Sequence, residues 1–86
     1  MDINSLNLII EKKISQNISC KKIIIEDKTY LHKNHKSHEK NKFHIKLIIK
    51  SDELLKMNRI ESTKKIYKIL DYELKKYIHS IQVLLN

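Results

Sequence analysis

Phe43-His44-Ile45-Lys46-Leu47-Ile48-Ile49-Lys50 runs directly into Ser51-Asp52. In an extended chain, Phe43, Ile45, Leu47 and Ile49 fall on one side, while His44, Lys46 and Lys50 fall on the other. This alternation predicts a half-buried strand over about residues 42–50. Ser51-Asp52 then offers the side-chain oxygens that a helix N-terminus needs for its orphan N–H groups. A helical region is therefore predicted to begin where the strand stops.

Upstream, Leu6, Ile9, Ile10 and Ile14 form one stripe at helical spacing, predicting an amphipathic helix over 3–16 capped by Asp2 or Asn4. Ile23-Ile24-Ile25 is a β-branched run and predicts a strand within 19–26. Residues 27–41 carry almost no apolar side chains and read as the longest loop, rich in His, Lys, Asn and Ser. Downstream, Ile60, Ile66, Tyr67, Ile69, Leu70, Leu74 and Tyr77 continue a helical stripe, with breaks expected within 53–60 and near Asp71. Ile81, Val83 and Leu85 alternate in a closing strand, which leaves His79 at the junction between the last helix and that strand.

The predicted order is α-β-β-α-α-β, an α+β fold. The first two strands can pair as an antiparallel hairpin. The third reaches the sheet through a helical crossover long enough for a parallel connection. Helices then pack on one face of a three-stranded mixed sheet. Eighty-six residues (1–86) make one domain, with little room for a deep catalytic cavity beside the core.

Composition narrows the function. The chain has no Gly, Pro or Trp, and Ile occurs 16 times. Its formal net charge of +8 points toward acidic partners such as nucleic acid. Ile, Lys and Asn share AT-rich codons, however, so part of the lysine excess is compositional. A single cysteine, Cys20, excludes an internal disulfide and fits a reducing, cytoplasmic setting. No apolar stretch approaches the ~20 residues of a membrane span. Met1-Asp2-Ile3-Asn4 has neither the basic nor the apolar region of a secretory leader.

The chemistry on offer is mostly imidazole. Four of the five histidines lie between His32 and His44, with His32, His35 and His38 spaced by three. A structural zinc site usually takes four ligands, commonly with cysteine pairs, and none is present. The cluster reads as a polar loop or as a place of looser metal binding. His79 is separate, and at a helix–strand junction it can cap, pack or meet the loop. No nucleophile elbow and no phosphate-binding glycine loop exist. Lys64, Lys65, Lys68, Lys75 and Lys76 form a basic helical stripe, read either as a solvated face or as phosphate contacts.

Several short motifs follow one another: Asp27-Lys28-Thr29-Tyr30-Leu31-His32, Phe43-His44-Ile45 through Lys50-Ser51-Asp52, Ile66-Tyr67, Glu73-Leu74 and Ile78-His79-Ser80-Ile81. In that order and spacing, from about Ile3 to Leu84, the chain resembles the BolA family. The resemblance implies a fold related to the KH type II arrangement and a non-enzymatic role. It further implies partnership with a monothiol glutaredoxin and a [2Fe–2S] cluster bridged between the two proteins. Glutaredoxin cysteine and glutathione would supply thiolates. His79 and His32 would supply imidazoles, with His35 as the fallback, and imidazole ligation raises the potential of such a centre. The isolated chain would then carry no cofactor and be a monomer. Where the family often shows Arg-His-Arg before Val-Tyr, this chain has Ser62-Thr63-Lys64. That departure makes nucleic-acid binding the weaker alternative.

Overall fold

A computed structural model describes residues 1–29 and 42–86. The elements are α1 (Ile3–Asn17), β1 (Lys22–Asp27), β2 (Phe43–Lys50), α2 (Asp52–Leu55), α3 (Arg59–Ile69), α4 (Asp71–Lys76) and β3 (Ile78–Leu85). The α+β prediction holds, with the helical crossover divided into three short helices at the two expected breaks.

The sheet order is β1-β2-β3. β2 is central, antiparallel to β1 and parallel to β3. Its inward residues Ile45, Leu47 and Ile49 are buried against Leu6, Ile10 and Ile14 of α1, Leu54 of α2, and Ile66 and Leu70 from the α3 region. Burying each such aliphatic side chain contributes about 1.5–3 kcal/mol.

Polar side chains start α1, α2 and α3 in a chain that has no glycine. Asp2 accepts from Ser5 N at 2.7 Å, Ser51 from Leu54 N at 3.3 Å, and Asn58 from Glu61 N at 2.8 Å. Among the described residues none has positive φ, so the turns use ordinary backbone conformations. β1 begins at Lys22 and not at residue 19, because Ser19 and Cys20 form the corner out of α1. There the Ser51 hydroxyl donates to Ser19 O at 2.7 Å.

The crossover stripe is phased differently from its prediction. Ser62, Ile66 and Leu70, spaced by four, are fully buried, whereas Ile60 is 68% and Tyr67 42% exposed. α3 starts afresh at Arg59, and its buried row is set from Ser62. Ile60 lies two residues, about 200°, from that row. Ser62 is accommodated because its hydroxyl donates to Arg59 O at 3.1 Å.

β3 begins at Ile78, earlier than its alternation suggested, so His79 belongs to the strand and not to a junction. Phe43 pairs with Ile78, but His44 pairs with Ser80, leaving His79 as an extra residue in a bulge. The bulge resets the phase of the strand. Without it, Ile78 and Ile81 could not both face the helices. With it, Ile78 joins the core and His79 is exposed.

Candidate functional site: an imidazole pair at one end of the sheet

The site lies where β1 ends and β2 and β3 begin. Asp27 is paired with Ile45, and Lys28 N donates to His44 O at 2.7 Å. Thr29 turns back on Asp27: its N donates to Asp27 Oδ1 at 3.0 Å and its hydroxyl donates to the same oxygen. This is the local side-chain turn that Asp favours. The Thr29 hydroxyl also accepts from His44 N at 3.1 Å. The opening Asp-x-Thr of the motif thus fastens the end of β1 over the start of β2. On the return side, Phe43 N donates to Tyr77 O at 2.9 Å. The chain therefore leaves and re-enters the described structure at the end of the sheet that carries His79.

His79 does not stand alone there. The His44 and His79 rings are 4.9 Å apart between centroids and tilted by 51°. His44 Nδ1 lies 2.6 Å from Ser80 Oγ. The predicted alternation put His44 on the outer face of the sheet, away from the helical core, and its pairing with Ser80 agrees. Its burial was not foreseen: His44 is only 6% exposed. An outward position normally meets water, but here Thr29, His79 and Ser80 surround the start of β2. The signal available in the sequence was that Phe43-His44 and His79-Ser80 both open strands of one parallel pair.

The other predicted ligands, His32 and the fallback His35, lie outside the described residues, as do His38, Tyr30 and Leu31. Among the described residues no three His, Cys, Asp or Glu side chains gather in a group that could hold a metal. Cys20 belongs to the opposite end of β2, beside Ser51 and Lys50, roughly 20 Å away at the rise of a strand. Its thiol is partly buried, and burial followed by the Glu53 charge pushes its pKa up, away from the reactive thiolate.

The basic stripe is partly occupied. Lys65 reaches Glu53 at 2.7 Å, Lys75 reaches Asp71 at 3.0 Å, and Lys76 donates to the Tyr72 hydroxyl at 3.0 Å. The Lys65 hydrogen bond, with a second from Ser19 N, holds the Glu53 carboxyl below its ordinary pKa. Lys64 and Lys68 are exposed, and neither makes an ion pair among the described residues. The five lysines are brought to two neighbouring helices but not to one free row.

Together the fold and this end-of-sheet site define a class: a small α+β domain with, among the described residues, four helices, a three-stranded mixed sheet and a histidine raised on a bulge of the last strand. A family model described as BolA-like protein matches residues 14–85, and the chain belongs to that family. The BolA domain of SufE1 from Arabidopsis thaliana superposes with a TM-score of 0.77 at 22% identity, covering 100% of this chain and 93% of that one. BolA1 from Arabidopsis thaliana gives 0.73 at 21% identity, covering 90% and 85%. A bol-like protein from Babesia bovis gives 0.70 at 12% identity, covering 91% and 79%. At these identities the likeness is one of fold. A search of curated proteins finds no match. No helix among the described residues is long and apolar enough to cross a membrane.

Proposed function

We propose that this chain is a non-enzymatic adaptor in iron–sulfur cluster handling. In this reading it binds a monothiol glutaredoxin and contributes imidazole ligands to a [2Fe–2S] cluster shared between the two proteins. The observation that supports it is the exposed His79 on its bulge, at the end of the sheet where residues 28–29 leave and residues 42–43 return. Imidazole is a fitting donor for such a centre, and no complete ligand set exists among the described residues. A site completed by a partner's thiolates suits that half-set. His79 and a loop histidine, His32 with His35 as fallback, would face one iron. The cluster then supplies electron-accepting and transferable iron–sulfur chemistry at a potential raised by imidazole ligation. The chain's own residues hold and orient: Thr29 ties the loop's departure to His44, and the bulge turns His79 outward.

Visible circular dichroism of the reconstituted heterodimer tests this. His79→Ala is expected to abolish or reshape the cluster spectrum while the far-ultraviolet spectrum stays native, because His79 is exposed. His32→Ala is expected to do the same, and His35→Ala only if the loop register differs by three. An unchanged spectrum in His79→Ala overturns the assignment. Absence of glutaredoxin binding at high micromolar concentration overturns the adaptor reading. The pairing of Lys65, Lys75 and Lys76 gives the nucleic-acid alternative no comparable support.

A further inference from the structure

We propose that the open edge of β1 pairs with the same edge of a second copy of this chain, giving a two-fold symmetric sheet of six strands. This replaces the monomer that the family resemblance implied for the isolated chain. It goes beyond the adaptor reading, which uses His79 on β3 and not the edge of β1.

Self-complementarity carries the inference. Lys21-Lys22-Ile23-Ile24-Ile25-Glu26-Asp27 has two cations at one end, two anions at the other and three isoleucines between them. Turned antiparallel about Ile24, the segment sets Lys22 opposite Glu26, Lys21 opposite Asp27 and Ile23 opposite Ile25 of the second copy. A shift of the register by two residues sets Lys22 opposite Lys28 in one direction and opposite Ile24 in the other. In-register parallel pairing sets lysine opposite lysine, and like charges directly opposite each other destabilise a strand pair.

Backbone hydrogen bonding selects the same register independently. β1 meets β2 with Ile24 opposite Ile48 and Glu26 opposite Lys46, and Lys28 N donating to His44 O continues that series. Along an antiparallel strand, residues alternate between bonding one neighbour and pointing N–H and C=O the other way. Lys22, Ile24 and Glu26 therefore bond β2, while Ile23, Ile25 and Asp27 turn their backbone groups to the open edge. Among the described residues no strand lies on that side. In the dimer, Ile23 of each copy exchanges both backbone bonds with Ile25 of the other, and the symmetry axis passes at Ile24.

The side chains are within reach of a second copy. Ile24 is 36% exposed on the face away from the helices. Ile23 and Ile25 lie on the core side yet are only half-buried, so α1 does not roof this edge. Lys22 makes no ion pair among the described residues, and Glu26 meets Lys28 at 3.8 Å. Lys21 lies 3.1 Å from Asp52, but both are well exposed and such a contact holds weakly. An edge of β-branched residues without proline is a template for another strand. One short strand from each copy buries less than a standard interface, so the dimer is weak and concentration-dependent.

Sedimentation of the full chain at physiological salt, from low micromolar to millimolar concentration, tests the pairing. A reversible monomer–dimer equilibrium is expected, and a monomer throughout overturns the proposal. Lys22→Glu sets like charges opposite each other and is expected to weaken the dimer at least about five-fold. Lys22→Glu/Glu26→Lys exchanges the signs and is expected to restore it. Far-ultraviolet circular dichroism checks that both exposed-strand variants are folded. A dimer indifferent to Lys22→Glu, or one that the exchange does not restore, overturns the proposal. The Ile24 pair on the axis is a non-hydrogen-bonded one, with Cα atoms about 4.5 Å apart, within the span of a disulfide. In a Cys20→Ser background, Ile24→Cys is expected to cross-link under mild oxidation. Gln82→Cys, exposed on the far strand β3, is expected not to. Equal cross-linking at the two positions marks random collision and overturns the proposal. Every arm uses the isolated chain, so failure here leaves the heterodimer cluster test of the adaptor reading standing, and failure of that test leaves this one standing.

Discussion

Ser51 shows how much one hydroxyl holds at the corner between β2 and α2. It is almost fully buried, accepts from Leu54 N at 3.3 Å and donates to Ser19 O at 2.7 Å. Ser51→Ala removes a helix cap and the hydroxyl that donates to Ser19 O. The expected cost is about 1–3 kcal/mol. In urea unfolding this appears as a lowered midpoint with an unchanged slope. A midpoint equal to that of the parent chain contradicts the double role. Half of this role was legible in the sequence, since Ser-Asp after an alternating strand is a helix-start signal. The bond to Ser19 was not, because it depends on the sheet register that brings residues 19 and 51 together. His44 repeats the lesson. Period-two reading gives its face, but burial at a strand end depends on what the neighbouring strands bring over it.

At the scale of elements, α1 and α4 are joined by a pair that lies 60 residues apart in sequence. Lys13 Nζ lies 2.7 Å from a Glu73 oxygen, and the two side chains are 38% and 3% exposed. The exposures differ, so the two ends are not equivalent. Lys13→Met strands a buried carboxylate and should cost about 3 kcal/mol. Glu73→Met leaves a lysine that water can reach and should cost about 1 kcal/mol or less. The double variant should recover most of the larger loss. Thermal or urea unfolding of the three variants measures the order, and equal losses for the two single variants contradict it. Nothing in the sequence marks Glu73 for burial, since the predicted stripe runs through its neighbours Leu70, Leu74 and Tyr77 and its helix is only six residues long. The elements themselves were legible wherever apolar spacing ran for several periods, as in α1 and β2. β3 was misjudged at its start because the bulge at His79 breaks the alternation by one residue, and a period-two pattern cannot register an inserted position.

For the whole molecule, the net charge of +8 raises the question of polyanions. A net positive charge favours non-specific nucleic-acid binding at low salt, so weak binding alone decides nothing. The informative quantity is how the salt slope changes when particular lysines are removed. Each phosphate contact contributes about 0.9 to the slope of log K against log salt. Lys64 and Lys68 are exposed and make no ion pair among the described residues, so Lys64→Gln/Lys68→Gln should lower the slope by up to about 1.8. Lys65, Lys75 and Lys76 are held by Glu53, Asp71 and Tyr72. Their triple replacement by Gln should lower the slope by less than about 1. Fluorescence anisotropy with a short duplex, from low to physiological salt, reads both numbers. A drop near 2.7 for the triple variant would mean that all three lysines leave their partners for phosphate, about 0.9 each. The basic helical face would then be a true nucleic-acid surface, and the adaptor reading would have to share the molecule with it.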